Sequence, residues 1–271
     1  MIRSPFRDLP REVSILVAAS FFVAVGFGIV MPAIPVFAKS FGVNNAAIGL
    51  MVSAFAITRF ASGLISGTLV DKFGERKVFS TGVFMVSLFT FLAGVAQSYE
   101  QLLFFRAAGG LGSSMFSVAA SSVILRSVSD NQRGQAQSVY QGSFIVGGMA
   151  GPAIGGLLSV ISLRAPFFVY SILLLISGIV ALFFLKGDSI GAKVKDNNSE
   201  PATTIREALA MPPYRIALVL AFIGTWVFFG MRASILPVFV TEELNSTTAV
   251  VGYGFAISAI VQGAILLKAG K

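Results

Sequence analysis

From Val13 to Ala38 the chain carries no charged residue, and seven more apolar runs follow, at 46–70, 78–98, 101–124, 136–161, 165–185, 214–240 and 248–267. About 20 apolar residues in a helix cross the hydrocarbon core of a bilayer, so each run is long enough to span it. The runs are continuous and lack the in–out alternation of a membrane barrel, which leaves helices as the spanning structure. Composition agrees. With 55% hydrophobic and 12% charged residues among 271, the chain holds more apolar surface than a water-soluble domain can bury. The fold class expected is all-α, a polytopic membrane helical bundle.

Arg3, Arg7 and Arg11 precede the first run, as basic residues precede the core of a secretory signal. The run is too long for such a core and no small-residue cleavage site follows it, so it reads as a retained span. Basic residues flanking the other runs set the orientation. With the N-terminus inside, Arg3, Arg7, Arg11, Lys72, Arg76, Lys77, Arg126, Arg133, Lys186, Lys193, Lys195, Arg206 and Arg215 are cytoplasmic, while only Lys39 and Arg164 lie opposite. The expectation is a multi-pass protein of the cell membrane with a cytoplasmic N-terminus and the lipid bilayer as its first partner.

Several chemistries are absent from this sequence. It has no Cys and no His, which removes disulfides, thiolate chemistry and the commonest metal ligand and general base. No nucleophile–base pair, metal cluster or nucleotide loop stands out, so neither an enzyme nor a cofactor or metal is expected. "GGLGSS" at 109–114 lies inside an apolar run and lacks the lysine of a phosphate-binding loop. The net charge of +8 is dispersed in short segments between spans and forms no patch for nucleic acid.

The chain also resembles itself. "IPVF" at Ile34–Phe37 is matched by "LPVF" at Leu236–Phe239, 202 residues later, and Val25, Phe27 and Gly28 meet Val227, Phe229 and Gly230 at the same offset. One residue of slip then aligns Ala46, Gly49 and Gly67 with Ala249, Gly252 and Gly270. Such repeats mark transporters built from two related bundles. The organisation expected is an N-terminal six-helix bundle over 1–186, a cytoplasmic linker over 187–213 with a short helix near Thr204–Met211, and the start of a second bundle over 214–271. On this reading the chain lacks most of a second half.

Three motifs give this pattern a family likeness. "GTLVDKFGERK", Gly67 to Lys77, joins the second and third runs; "RAAGGLG", Arg106 to Gly112, lies in the fourth; "GGMAGPAIGG", Gly147 to Gly156, lies in the fifth. Together they resemble the signatures of the major facilitator superfamily, in its drug/proton antiporter branch. The resemblance implies the major facilitator fold, with a complete six-helix first half and the first two helices of the second. It also implies a transporter that exports small amphipathic molecules or drugs and uses protons as coupling ion. Gly67, Leu69, Asp71, Lys72, Gly74, Arg76 and Lys77 match the gating signature; Glu75 stands where a basic residue is common. There Asp71 would latch onto a helix of the second bundle, and Arg76 would pair with Asp130. Gly147, Gly151, Pro152, Gly155 and Gly156 match the antiporter-type helix motif.

The residues carry an argument of their own. Gly63 and Gly67, and the ridge of Gly147, Gly151 and Gly155 doubled by Gly148 and Gly156, have the spacing that lets helices approach closely. Ser113, Ser117 and Ser121 form a similar small-residue face, read as packing. Arg59, Arg106 and Arg232 lie inside spans, where an arginine costs about 2.5–3.5 kcal/mol and calls for a cavity or a partner. Arg106 and Arg232 lie nearer a boundary and can snorkel instead. No Asp or Glu falls within the eight runs, so a proton carrier lies elsewhere, or coupling works through arginine and substrate, or the substrate is an anion. Tyr140, Gln141, Trp226 and Gln262 are candidates to face a small-molecule substrate. The alternatives are a carrier of a small anionic metabolite and a membrane protein that binds without transporting.

Because the chain has no cysteine, single introduced cysteines report topology directly. A membrane-impermeant maleimide is expected to label Ser40→Cys in intact cells and Ser129→Cys only after permeabilisation. The opposite pattern reverses the orientation.

Overall fold

A computed structural model describes residues 9–185 and 205–227, with isolated positions beyond. The described residues form helices and no strands. Arg11–Lys39 is one long apolar rod, helix α1 (Arg11–Val30) and then α2 (Ala33–Lys39), divided where Pro32 has no N–H to continue the ladder. Asn44 caps α3 (Asn45–Ala61) by accepting from the Ala47 N–H at 2.9 Å. α4 (Gly63–Phe73) follows after a 46° bend at Ser62, whose hydroxyl donates to the Thr58 carbonyl at 2.7 Å. A serine bonded back to its own helix beside a glycine is a recognised cause of such bends.

Gly74, at φ +83°, closes α4 and starts α5 (Glu75–Val95) with no spacer. A positive φ of that size favours glycine. Ser98 then caps α6 (Tyr99–Ser127), and a short 3₁₀ turn at Asp130–Gln132 leads into α7 (Arg133–Ile161). α8 (Ala165–Phe184) opens on Pro166, where a missing N–H costs nothing. The rod Arg11–Lys39, α5, α6 and α8 are each long and apolar enough to cross a membrane, and bent α3–α4 is a fifth span if counted as one. α7 has 29 residues, carries no charge beyond Arg133 and runs through Pro152 without a break.

Several helices extend past their apolar runs, such as α6 over Tyr99–Ser127 against 101–124, and one of these boundaries bears on the chemistry. The third span begins at Glu75 instead of residue 78, because Gly74 turns the chain abruptly and helical hydrogen bonding extends past the apolar run. The Glu75 carboxylate, within the segment that joins the second and third apolar runs, therefore opens a spanning helix.

Helices α1–α8 make one compact unit. Within it α1 packs on α7 and α8, α5 on α6 and α8, and α3 and α4 on α6. Lipid tails solvate leucine as well as another helix does, so close packing in a membrane relies on small residues and interhelical hydrogen bonds. Both are present. A Cβ added to Gly151 would lie 2.5 Å from Gly28 backbone carbons, and one added to Gly82 would lie 2.7 Å from the Gly112 carbonyl oxygen. Gly147 and Gly155 press on the same stretch of α1. Ser177 donates to the Ala19 carbonyl and Ser87 to the Ser171 carbonyl, each at 2.8 Å, so α8 is bonded to both α1 and α5.

Two arginines tie helix ends together. Arg164, just before α8, donates to the Gly94 carbonyl at 3.1 Å and the Ala96 carbonyl at 3.0 Å, at the close of α5. Arg76, in the first turn of α5, donates to the Leu182 carbonyl at 2.7 Å in the last turn of α8. Terminal carbonyls of a helix lack intrahelical partners and carry its negative dipole end. Large apolar side chains such as Phe60 (88% exposed) and Val160 (87%) point outward, as expected of a unit whose solvent is lipid.

A second unit contains α9 (Ile205–Ala210), where a short linker helix was expected, and α10 (Pro212–Thr225), the opening of the seventh apolar run. Residues 187–204 and, apart from isolated positions, the run 248–267 lie outside the described residues.

Gly151→Ala is expected to lower the thermal unfolding midpoint in detergent, since the α1 and α7 backbones must separate; overpacking of this kind costs about 1–3 kcal/mol. Gly156→Ala, where an added Cβ meets nothing within 4 Å, is expected to leave the midpoint unchanged or slightly raised.

Candidate functional site

The abrupt turn at Gly74 puts Asp71 in the last turn of α4 and Glu75 at the head of α5. Arg126, in the last turn of α6, reaches both: Nη1 lies 2.7 Å from Glu75 Oε1 and Nη2 lies 3.3 Å from Asp71 Oδ1. Ser122, one turn earlier on α6, donates to the same Glu75 oxygen at 3.1 Å. Glu75 is 3% exposed and Asp71 73%. Both ends of the inner pair suit their helices, a carboxylate at an N-terminus and a guanidinium at a C-terminus. The outer carboxylate shares the same guanidinium and keeps most of its surface free.

Other members of the motif are placed differently from the sequence expectation. Arg76 does not pair with Asp130. It caps the end of α8, the helix α5 packs against, while Asp130 pairs with Arg133 at 3.0 Å one turn along its own chain. Among the described residues Gly63 and Gly67 do not sit in a close crossing; an added Cβ at either meets none of them within 4 Å. Elsewhere on α4 Leu64 and Ile65 are exposed as well. Leu69 packs against the core, Lys77 is exposed, and the Lys72 ammonium stands 5.4 Å from the Phe73 ring centroid.

A second polar region lies along the seam between α3–α4 and α6. Arg59 Nη1 donates to Ser113 at 3.1 Å and Nη2 to Ser117 at 2.9 Å. The serine face of α6 therefore holds a cation and is more than a packing surface; Ser121, by contrast, bonds back to the Ser117 carbonyl of its own helix. Next to this pair, Thr58 donates to the Ala107 carbonyl at 2.7 Å and Ser66 to Ser114 at 3.1 Å. Gly110 fits beneath Thr58, where any side chain would collide with the Phe55 carbonyl. Arg106 does not snorkel. It is 8% exposed, its Cζ stands 4.6 Å from the Phe55 ring centroid, and its Nε has no hydrogen-bond partner.

Tyr140 is buried against Phe144, with centroids 5.3 Å apart, and Gln141 is exposed beside it. Tyr170 is buried, with its ring against Gly26. Trp226 is exposed in the second unit, near Phe222. Arg232 and Gln262 lie outside the described residues. In α7, Gly147, Gly151 and Gly155 face α1, whereas an added Cβ at Gly148 or Gly156 meets nothing. Glu75, Arg126 and Ser122 make up the cluster, and the sequence reading gave Arg126 and Ser122 no part in it. The spacing of Ser122 and Arg126, four apart and therefore on one helix face, was the available signal for two of them.

Apolar helices joined through glycine crossings, with an arginine seam inside and a charge cluster at one end, define a polytopic membrane protein. A family model described as the Major Facilitator Superfamily matches residues 16–271, and the chain belongs to that superfamily. It is 25% identical over 259 residues to Multidrug resistance protein 2 of Bacillus subtilis (strain 168), covering 93% of this chain and 64% of the relative. It is 27% identical over 218 residues to Quinolone resistance protein NorA of Staphylococcus aureus (strain MRSA252), covering 78% of this chain and 55% of that one. The chain thus spans only 55–64% of the length of these curated relatives. The crystal structure of the human organic anion transporter MFSD10 (TETRAN) superposes with a TM-score of 0.77 at 17% identity, over 96% of this chain and 72% of that one. At that identity the likeness establishes a shared fold.

Arg126→Gln strands the buried Glu75 carboxylate and is expected to cost about 3–5 kcal/mol of stability, measured by denaturant unfolding in detergent. Asp71→Asn, at an exposed site, should cost less than about 1 kcal/mol. The double variant Glu75→Gln/Arg126→Gln should recover part of the loss; equal instability of single and double would remove the ion pair as the cause.

Proposed function

We propose that this chain is a secondary active transporter that exports small amphipathic molecules or drugs by alternating access, coupled to protons. What carries the reading is membership of the superfamily together with the charge cluster at its gating signature. Relatives named for multidrug and quinolone resistance support efflux as the direction. In this reading residues 1–186 form the first bundle, 187–213 the cytoplasmic linker and 214–271 the start of the second bundle. The N-terminus faces the cytoplasm of a cell-membrane protein, and no enzymatic step is involved.

The cluster has the right division of labour for a gate. Glu75, Arg126 and Ser122 bind the ends of α5 and α6 to each other out of water. Asp71, held by one 3.3 Å contact and largely exposed, remains available to accept hydrogen bonds from a helix N-terminus of the opposing bundle. Gly67, Leu69, Lys72, Gly74, Arg76 and Lys77 set the turn around it. Asp130 braces the neighbouring turn through Arg133. Arg59, Arg106 and Arg232 are assigned to the substrate and proton path, and Tyr140, Gln141, Trp226 and Gln262 to the faces that meet substrate. The run Gly147–Gly156 forms the tight α7 contact through which the bundle moves as a body.

Everted membrane vesicles carrying the protein are expected to accumulate a fluorescent amphipathic dye when energised with a proton gradient, and to stop when the gradient is collapsed. Asp71→Asn should lower the rate by roughly tenfold or more while membrane insertion is unchanged, the loss expected for a hydrogen bond to a charged group. Movement independent of the gradient would remove proton coupling. Unchanged transport in Asp71→Asn would reduce the cluster to a topology signal.

A further inference from the structure

Away from the Asp71–Arg126 contact at its end, the seam between α3–α4 and α6 holds two guanidinium groups, Arg59 and Arg106, and no carboxylate among the described residues. Arg59 donates one N–H from each terminal nitrogen to the neutral hydroxyls of Ser113 and Ser117. A guanidinium has five N–H donors in a planar fork, so each terminal nitrogen keeps a second one. Arg106 is buried, stacked on Phe55, with an Nε that donates to nothing.

The acidic residues of this unit lie elsewhere. Among the described residues, Glu12, Asp71, Glu75, Glu100 and Asp130 all sit in the first or last turn of a helix, or in the short turn between α6 and α7. Asp71 and Glu75 are already engaged by Arg126, and Asp130 by Arg133. Hydroxyls and an aromatic face solvate a guanidinium without neutralising it. Each such charge inside a membrane costs about 2.5–3.5 kcal/mol on insertion scales. Two cations on one seam without a carboxylate partner among the described residues, one exposed with spare donors and one buried with an idle donor, are the complement of an oxyanion.

We propose that this seam is an anion-binding site, in which Arg59 grips the carboxylate or sulfonate head of an amphipathic organic molecule. Arg59 makes the direct contact, being the exposed member whose terminal nitrogens each keep a second N–H. Arg106 adds positive potential from behind, and Ser113 and Ser117 hold the Arg59 fork in position. The assignment deepens the transport reading by naming its substrate class, and rests on that reading for the ligand's being cargo. The binding site itself rests on the seam.

The test uses the protein in nanodiscs of zwitterionic lipid, which supply no competing anionic headgroups. Three probes share one naphthyl skeleton and carry a sulfonate, a neutral sulfonamide or an ammonium group, with binding read by fluorescence anisotropy. The sulfonate is expected to bind tightest and to be displaced by inorganic sulfate. Arg59→Gln should weaken sulfonate binding by about tenfold or more and leave the sulfonamide unchanged, with Arg59→Lys in between because it keeps the charge and loses the fork. Unfolding midpoints identify the variants that fold. If Arg59→Gln does not fold, Arg59→Lys and sulfate competition on the unsubstituted protein decide. Equal binding of all three probes, or an unchanged sulfonate affinity in folded Arg59→Gln, overturns the site. An ammonium preference overturns the anion assignment and leaves transport standing. Sulfonate binding without gradient-driven efflux in vesicles overturns the transport reading and leaves this site.

Discussion

The structure depends on how closely α1 can approach α7, and α5 approach α6. In lipid there is no hydrophobic gain from moving a leucine out of the bilayer onto another helix, so contact must come from backbones that touch. Gly28 against Gly151 and Gly82 against Gly112 provide that contact. α8 then links the two pairs through hydroxyl-to-carbonyl bonds from Ser177 and to Ser171. None of these contacts requires a charge, and they produce a frame in which a more polar helix can be held.

That helix is α6. Along its length Arg106 stacks on Phe55, Ser113 and Ser117 hold Arg59, Ser114 meets Ser66, and Ser122 and Arg126 hold Glu75. Its polar groups change character along the axis. At the Asp71 end both charges of a pair are present and each sits at the helix terminus whose dipole favours it. In the middle only cations and neutral hydroxyls occur. One helix thus supplies a self-contained structural cluster and, two to three turns away, a site with unspent charge.

The spans were legible because charge is so expensive in lipid that its absence over 20 residues carries a single meaning. The ridge at Gly147, Gly151 and Gly155 was also legible as a close-packing surface from its spacing alone. The same spacing at Gly63 and Gly67 brings no close crossing among the described residues, since small residues permit an approach without requiring one. The partners of Arg76 and Arg126 were not legible. Asp71 and Arg126 are 55 residues apart, and which carboxylate an arginine meets depends on helix rotation that no local pattern records. Glu75 falls outside the apolar run because apolarity marks where lipid begins, whereas Gly74 marks where the helix begins. Ser113 and Ser117 read as packing because serine serves packing and hydrogen bonding equally well.

Arg76 and Arg164 sit at the starts of two antiparallel helices, and each holds the finish of the other. The arrangement is a closed mechanical loop. Axial sliding of α5 past α8 in either direction pulls on both arginines at once, and lengthening at one end is not relieved by shortening at the other. The pair behaves as a strut whose length is set by its two fastenings, so shear between α5 and α8 is resisted at both ends.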